Sequence, residues 1–544
     1  MKSEYGSASE NSTLLGVQRK KTGLIGRYGW MELSLFTWAV VATFTAGFLA
    51  FVSKHHESLQ GSQVTKLVSG KRNLVFMVSD GMGPASLSMA RSFRQYEAGL
   101  PNEDILNLDR YLIGSSRTKS SSSLVTDSAA GATAFSCGKK SYNGAISMLP
   151  DFAPCGTVLE AAKKAGYMTG LVVTTDITDA TPACFASHVK NRRYGDDIAL
   201  QEVGENPLGR VVDLMFGGGL CHFLPNTTHG SCRRDDRNVI KIAENDFGWN
   251  YISSRKEFDA LRPGKSMNLP LLGLFAESDI PYELDRRNLN DVYPSLDEMT
   301  RTALKALEMA TKNSDKGFFL MIEGSRIDHA GHGNDPSAQV REVLAYDEAF
   351  SSVVRFIEES ETEGVLVSTS DHETGGLSVA RQSTSQYPVY KWYPEALANS
   401  SRSAEFLAAE LKRFMATDQN GNSLENFISE ELVQKGLGIV DASRAEIQML
   451  IDEPSLSIYT FADMVSRRAQ IGWSTHGHSA VDVNVYGTIG SESLRGNHEN
   501  TEVGEFLRKY LDVDVDAITK ELRENFNASK LTETLSISLS EKIV

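Results

Sequence analysis

Residues 317–332 read GFFLMIEGSRIDHAGH, a short apolar run that passes directly into a glutamate, a glycine and a cluster of acids and imidazoles. An apolar run of this length after a glycine is the pattern of a strand buried on both faces, as in a parallel sheet covered by helices. The arrangement recurs to either side. Residues 73–79 (NLVFMVS) run into Asp80-Gly-Met-Gly, and residues 364–368 (GVLVS) lead to Asp371-His372. Open α/β sheets bind their ligands beyond the carboxyl ends of the strands. Three strands that each end in metal-ligand residue types therefore predict one sheet edge that gathers them. Strands are predicted over 73–79, 170–174, 211–216, 317–322, 364–368 and 482–486. Helices are predicted over 157–166, 295–312, 339–359 and 501–511, and the alternation makes this an α/β protein.

Asp328 and His332 are four residues apart, on one face of a helical turn and suited to a single metal ion. Asp371 and His372 supply a second oxygen–nitrogen pair and Asp80 a further carboxylate. His478, in WSTHGHSAVDVNVYG (473–487), adds an imidazole just before a strand, and His476 competes with it for that place. Taken singly, an aspartate after a strand is more often a helix cap and a histidine more often a satisfied polar residue. Together, Asp80, Asp179, Glu323, Asp328 and Asp371 would crowd five negative charges that cannot all stay ionised without cations. In VTDSAAGATAFSCG (125–138), Ser128 follows Asp127 at the start of an Ala- and Gly-rich helix. The free N–H groups and positive dipole end of such a helix suit an alkoxide and phosphate oxygens. On this motif alone Ser128 reads equally as a nucleophile or, with Asp127, as part of a helix cap.

The chain has 544 residues, enough for a large globular domain, and ordinary apolar and charged fractions, which exclude disordered and fibrous classes. Its net charge of −15 argues against nucleic acid as a partner but not against a phosphate substrate, because bound metal ions reverse the local charge. Residues 33–52 (LSLFTWAVVATFTAGFLAFV) carry no charge, and a helix of that length rises about 30 Å, enough to cross a bilayer. Lys2, Arg19, Lys20, Lys21 and Arg27 precede it, so the positive-inside rule leaves the N-terminus cytosolic and the large C-terminal part across the membrane. A cleaved signal peptide is the alternative, but its apolar stretch should be shorter and nearer the start. The sequons at Asn226, Asn399 and Asn527 all lie beyond this segment. Of five cysteines, Cys221 and Cys232 bracket a loop that a disulfide would close; all five reduced is the other reading. The expected organisation is a tail over 1–32, a membrane span over 33–52, a stalk over 53–70, a catalytic domain over 71–512 with a more polar, less regular cap over 377–471, and a C-terminal tail over 513–544.

DSAAGATA (127–134), with DGMG (80–83) upstream and EGSRIDHAGH (323–332), SDHETGG (370–376) and THGHSA (475–480) downstream, resembles the alkaline phosphatase family over roughly residues 71–511. The resemblance implies a three-layer sandwich with a central, mostly parallel sheet, and hydrolysis of phosphate monoesters of broad range through a phosphoserine on Ser128. It implies two zinc ions and one magnesium, with Asp328, His332 and His478 at the first zinc and Asp80, Asp371 and His372 at the second. Thr181 and Glu323, with Asp80 bridging, would take magnesium. His478 is preferred to His476 because the glycine before it and the strand after it keep the family spacing. In ATPACFASHVKNRR (180–193), Arg192 falls at the family's phosphate-binding arginine. Asp179 resembles the bacterial form and His329 the animal form, a mixture that bears on the magnesium site and on substrate contacts. The resemblance also implies a homodimer. The anchor together with Glu10, Leu14 and Leu15 resembles the family's vacuolar members, in which a dileucine signal engages the sorting machinery; this implies a type II protein of the vacuole membrane with its catalytic domain in the lumen. The competing readings are a sulfatase or phosphodiesterase on a related sheet, or a membrane-anchored binder without catalysis. After Ser128 there is no Pro- and Arg-containing sulfatase signature, and no ligand or nucleophile is missing.

Overall fold

Side-chain alternation along β1 (Arg72–Val78) sets the layering. Leu74, Phe76 and Val78 enter one hydrophobic core, and Val75 and Met77 enter another on the opposite face. β7 (Phe318–Glu323) divides the same way, Phe319 and Met321 against Phe318, Leu320 and Ile322. A strand buried on both faces has no polar side to show, which is why the run at 317–322 is continuous rather than alternating. One core is closed by helices that include Ser128–Cys137, Val158–Lys164 and Asn500–Leu511, the other by Pro84–Glu97, Leu296–Ala310 and Pro336–Glu359. The result is a three-layer α/β sandwich.

The computed structural model describes residues 29, 35–36, 38–47, 70–261, 267–417 and 421–525, in two units, 1–69 and 70–544. In the first, residues 35–36 and 38–47 are helical and Leu35, Phe36, Trp38 and Phe44 are exposed. The expected span over 33–52 lies partly outside the described residues. Among the described residues no helix is long and apolar enough to cross a membrane.

The second unit carries a ten-stranded sheet. The remaining strands are β2 (Leu112–Arg117), β3 (Met168–Asp176), β4 (Leu214–Gly218), β5 (Asn250–Ile252), β6 (Leu271–Leu274), β8 (Glu363–Thr369), β11 (Val483–Gly487) and β12 (Gly496–Glu499), in the order β12-β2-β11-β8-β1-β7-β3-β4-β6-β5. Only β11 runs against the others. Two further short strands, β9 (Glu373–Thr374) and β10 (His478–Ser479), form an antiparallel ribbon of their own.

Three expectations from sequence are corrected. The strand predicted at 211–216 is observed over Leu214–Gly218; just before it, the Asp213 carboxylate accepts hydrogen bonds from Lys163 Nζ (2.6 Å), Arg210 (2.7 Å) and the Thr169 amide (3.1 Å). Residues 377–471 are not irregular beyond an exposed stretch before 394. From Pro394 to Ala469 the described residues form successive helices whose Leu397, Leu407, Leu432 and Phe461 make a third core with Met89, Phe93 and Val340. The tail placed at 513–544 starts with a helix over 515–525, which buries Val515, Ile518 and Leu522 against the helices of the first core. Cys137 pairs with Cys155 and Cys221 with Cys232, leaving Cys184 buried and reduced.

Candidate active site

β8, β1, β7 and β3 are neighbours at the centre of the sheet and parallel to one another. Their carboxyl ends therefore deliver Asp371-His372, Asp80, Glu323 and, three residues past β3, Asp179 to one edge. Gly81 lets Asp80 reach the cluster. It has φ of +76°, and a Cβ there would stand 2.5 Å from the Asp328 Cα. Asp328 and His332 come from the helix Arg326–His332 that follows β7. His478 arrives from 146 residues further along, through β10, which pairs with β9 so that His478 lies opposite Thr374. Its ring stacks on that of His372 with centroids 3.5 Å apart.

The ligand atoms fall into two groups. His332 Nε2 lies 3.2 Å from Asp328 Oδ2 and 3.2 Å from His478 Nε2, and His478 Nε2 lies 3.6 Å from Asp328 Oδ1. His372 Nε2 lies 3.2 Å from Asp371 Oδ2 and 3.5 Å from Asp80 Oδ1. Ligands about 2.0 Å from a tetrahedral ion are separated by roughly 3.3 Å, so both groups have the spacing of a cation's coordination shell. His476 is not in either group: its ring turns to the His332 carbonyl and to Tyr459.

Hydrogen-bond partners decide which ring nitrogens are free to ligate. His478 Nδ1 donates to the Thr126 carbonyl (2.8 Å), leaving Nε2 with its lone pair inward. The Thr374 hydroxyl donates to Asp328 Oδ1, so it accepts from His372 Nδ1 (3.2 Å) and again leaves Nε2 as the lone pair. His372 Nε2 and Asp371 Oδ2 then face each other as two acceptors. Asp371 Oδ2, Asp80 Oδ1 and Thr181 Oγ1 are buried without a hydrogen-bond partner. Orphaned acceptors converging at such distances fit a cation and little else.

The charges agree. Burial pushes the Asp80 carboxyl far above its usual range, with Asp371, Asp328, Glu323 and Asp179 adding to the rise. Burial likewise raises Asp371 to about 7 and Glu323 to about 8. Against burial, which disfavours its charge, His332 is raised to about 9 by its hydrogen bond to Asp328. Protons thus hold the places that divalent cations would take, and metal binding would release them.

The start of the helix Ser128–Cys137 shows which of its two candidate residues is the cap. Asp127 is the cap, its Oδ1 accepting from the Ala130 amide (3.0 Å) and its Oδ2 from the Gly144 amide (2.8 Å). Ser128 is thereby free of capping duty, and its buried hydroxyl lies 3.2 Å from His372 Nε2. Arg192 is braced on two sides, by Asp179 Oδ1 at 2.6 Å and Asp127 Oδ2 at 3.7 Å. Asp127 and Thr374 were not singled out from sequence as site residues, although both sit inside the quoted motifs. His329, an expected substrate contact, is anchored through one ring nitrogen. Its Nδ1 donates to Asp279 (3.2 Å), with Arg326 Nε 3.4 Å away. Asn226 and Asn399 are exposed; Asn527, Glu10, Leu14 and Leu15 lie outside the described residues.

A hydroxyl at a helix N-terminus facing a nest of cation ligands, with a fixed guanidinium beside it, is suited to in-line displacement on a tetrahedral anion, and the protein is a hydrolase of phosphate esters. The family model for alkaline phosphatase matches residues 71–513, and the chain belongs to the alkaline phosphatase family, whose activity is the hydrolysis of phosphate monoesters. It is 55% identical over 487 residues, 85% of each chain, to the repressible alkaline phosphatase of Saccharomyces cerevisiae. Among solved structures it is similar to the alkaline phosphatase of Thermus thermophilus, at 27% identity over 85% of this chain and 96% of that one, with a TM-score of 0.69. It is also similar to a variant of the alkaline phosphatase from the Antarctic bacterium TAB5 with Mg bound in its M3 site, at 26% identity over 82% and 99% of the two chains, with a TM-score of 0.56.

Proposed function

We propose that hydrolysis proceeds through a phosphoserine on Ser128. The observation that carries this is the Ser128 hydroxyl, buried, uncapped and 3.2 Å from His372 Nε2 at the head of a helix. Asp328, His332 and His478 would hold one zinc ion, and Asp80, Asp371 and His372 a second. Thr181, Glu323 and Asp80 would hold magnesium, a reading supported by the orphaned Thr181 hydroxyl and by the magnesium-bearing relative. When bound, these ions supply Lewis-acid stabilisation of the attacking and leaving oxygens. Arg192 grips two phosphate oxygens with its planar fork, and Asp179 and Asp127 aim that fork before substrate arrives. The Ser128 oxygen displaces the alcohol, the backbone N–H groups at the helix start face the phosphoryl oxygens, and water then cleaves the phosphoserine. Contacts centre on the phosphoryl group, so a broad range of monoesters is the expected substrate class.

The test is covalent trapping with ³²P-labelled monoester at acid quench. The wild type should carry one labelled phosphate, and Ser128→Ala should carry none while keeping its metal. Label retained by Ser128→Ala would place the nucleophile elsewhere.

The cellular setting belongs to the same proposal: a type II protein of the vacuole membrane, anchored by residues 33–52, with the phosphatase in the lumen as a homodimer and Glu10, Leu14 and Leu15 offered to a sorting adaptor. Support comes from the exposed apolar helix over 38–47, from two disulfides, which persist in oxidising compartments, and from exposed sequons at Asn226 and Asn399. Removal of residues 1–52 should release active enzyme from the membrane fraction.

A further inference from the structure

Three side chains make up the Asp328 group, and they are not equally confined. The side chains of Asp328 and His478 are 7% and 12% exposed, whereas that of His332 is 41% exposed. Packing fixes the first two. An imidazole open to solvent on one side keeps its rotamer freedom unless hydrogen bonds remove it. Besides its contacts with Asp328 and His478, His332 has two such bonds, and both lead to one residue outside the ligand set. Its Nδ1 donates to the His476 carbonyl, and its own carbonyl accepts from His476 Nδ1 at 2.9 Å. The two histidines therefore close a ring of two hydrogen bonds, side chain to backbone in each direction, between the helix Arg326–His332 and the loop that carries His478. The His476 ring is itself held by Tyr459, from the helix Ser457–Ala469, with centroids 4.2 Å apart. Nothing in the alternation of strands and helices requires a histidine at 476; a residue of any kind would provide its carbonyl.

We infer that His476 is a positioning residue for metal retention: its Nδ1–H locks the backbone of His332 to the loop, and so keeps His332 Nε2 aimed at the ion shared with Asp328 and His478. Groups that orient a ligand from behind typically change metal affinity by about ten- to a hundredfold. The inference rests on the reading of Asp328, His332 and His478 as a metal position. It adds that the cap, through Tyr459 and His476, takes part in holding that ion.

The experiment follows zinc release from the zinc-loaded full-length protein to a chromogenic chelator, comparing wild type with His476→Ala, His476→Phe and His476→Asn. Alanine removes the ring and the donor. Phenylalanine keeps a ring against Tyr459 but has no donor, and asparagine restores an N–H close to the position of Nδ1. Release should be about tenfold faster for the alanine and phenylalanine variants, and within about twofold of wild type for asparagine. Slow release from His476→Phe, or asparagine releasing as fast as alanine, would show that ring packing matters and not the hydrogen bond, and would overturn the inference. Equal rates for all four proteins would do the same. A wild-type chain that takes up no zinc at all would instead remove the metal reading and this inference with it.

Discussion

The proposed mechanism gives Arg192 and Ser128 opposite kinds of work, and their surroundings differ accordingly. The guanidinium has carboxylates on two sides, which against the cost of burial raise its pKa and keep it charged. The serine has no local hydrogen-bonding duty because Asp127 caps the helix. Replacing Arg192 with lysine keeps the charge but removes the paired donors. We expect kcat/KM for a simple monoester to fall by about 10- to 100-fold, corresponding to the loss of one charge-assisted hydrogen bond of about 1.5–3 kcal/mol. Steady-state kinetics will measure it, and a change under about threefold would remove Arg192 from the phosphate contact. The sequence indicated these two residues, the aspartates and the clustered histidines, because each occupies a compact motif. It did not indicate the division of labour between Asp127 and Ser128, since both residue types cap helices equally well. The pairing of His329 with Asp279 was hidden for another reason: the two are 50 residues apart and meet only through the fold.

At the level of elements, the site depends on how closely the turn after β1 approaches the helix Arg326–His332. Gly81 adopts a left-handed conformation there, and any side chain would press on the Asp328 backbone. Gly81→Ala should therefore cost about 1–3 kcal/mol from backbone strain alone. It should also lower the metal content of the purified protein, measured by atomic absorption beside a urea unfolding curve. Unchanged metal content would mean that the helix shifts without losing Asp328. The long helices and double-faced strands were readable because their apolar periodicity is strong and local. β5, β9 and β10 span two or three residues each, too short for any periodicity to appear. The helices between 394 and 469 pack on a satellite core of their own rather than on the sheet, so no alternation with strands marked them in the sequence.

For the whole molecule, the converging carboxylates make stability depend jointly on pH and metal. In the metal-free protein the folded-state values for Asp371 and Glu323 are about 7 and about 8, above the ordinary carboxylate range of about 4. Protonated carboxyls therefore favour the fold, and this contribution is lost as the pH rises through 7 and then 8. The melting temperature of chelator-treated protein should fall between pH 6 and pH 9. With divalent ions restored it should be higher throughout and far flatter over the same interval, because the ions bind the ionised form. Parallel curves with and without metal would contradict the clustering of these acids around shared cations.

The small ribbon of β9 and β10 has a consequence for biosynthesis. Asp328, His332, Asp371 and His372 are all made before residue 373, yet His478, which the ribbon brings to them, leaves the ribosome more than a hundred residues later. A growing chain can assemble most of the sheet and still lack one corner of the proposed metal position. If His478 holds the ion as proposed, polypeptides released before that point would be inert toward cellular phosphoesters, and the order of synthesis would withhold catalysis until most of the chain exists.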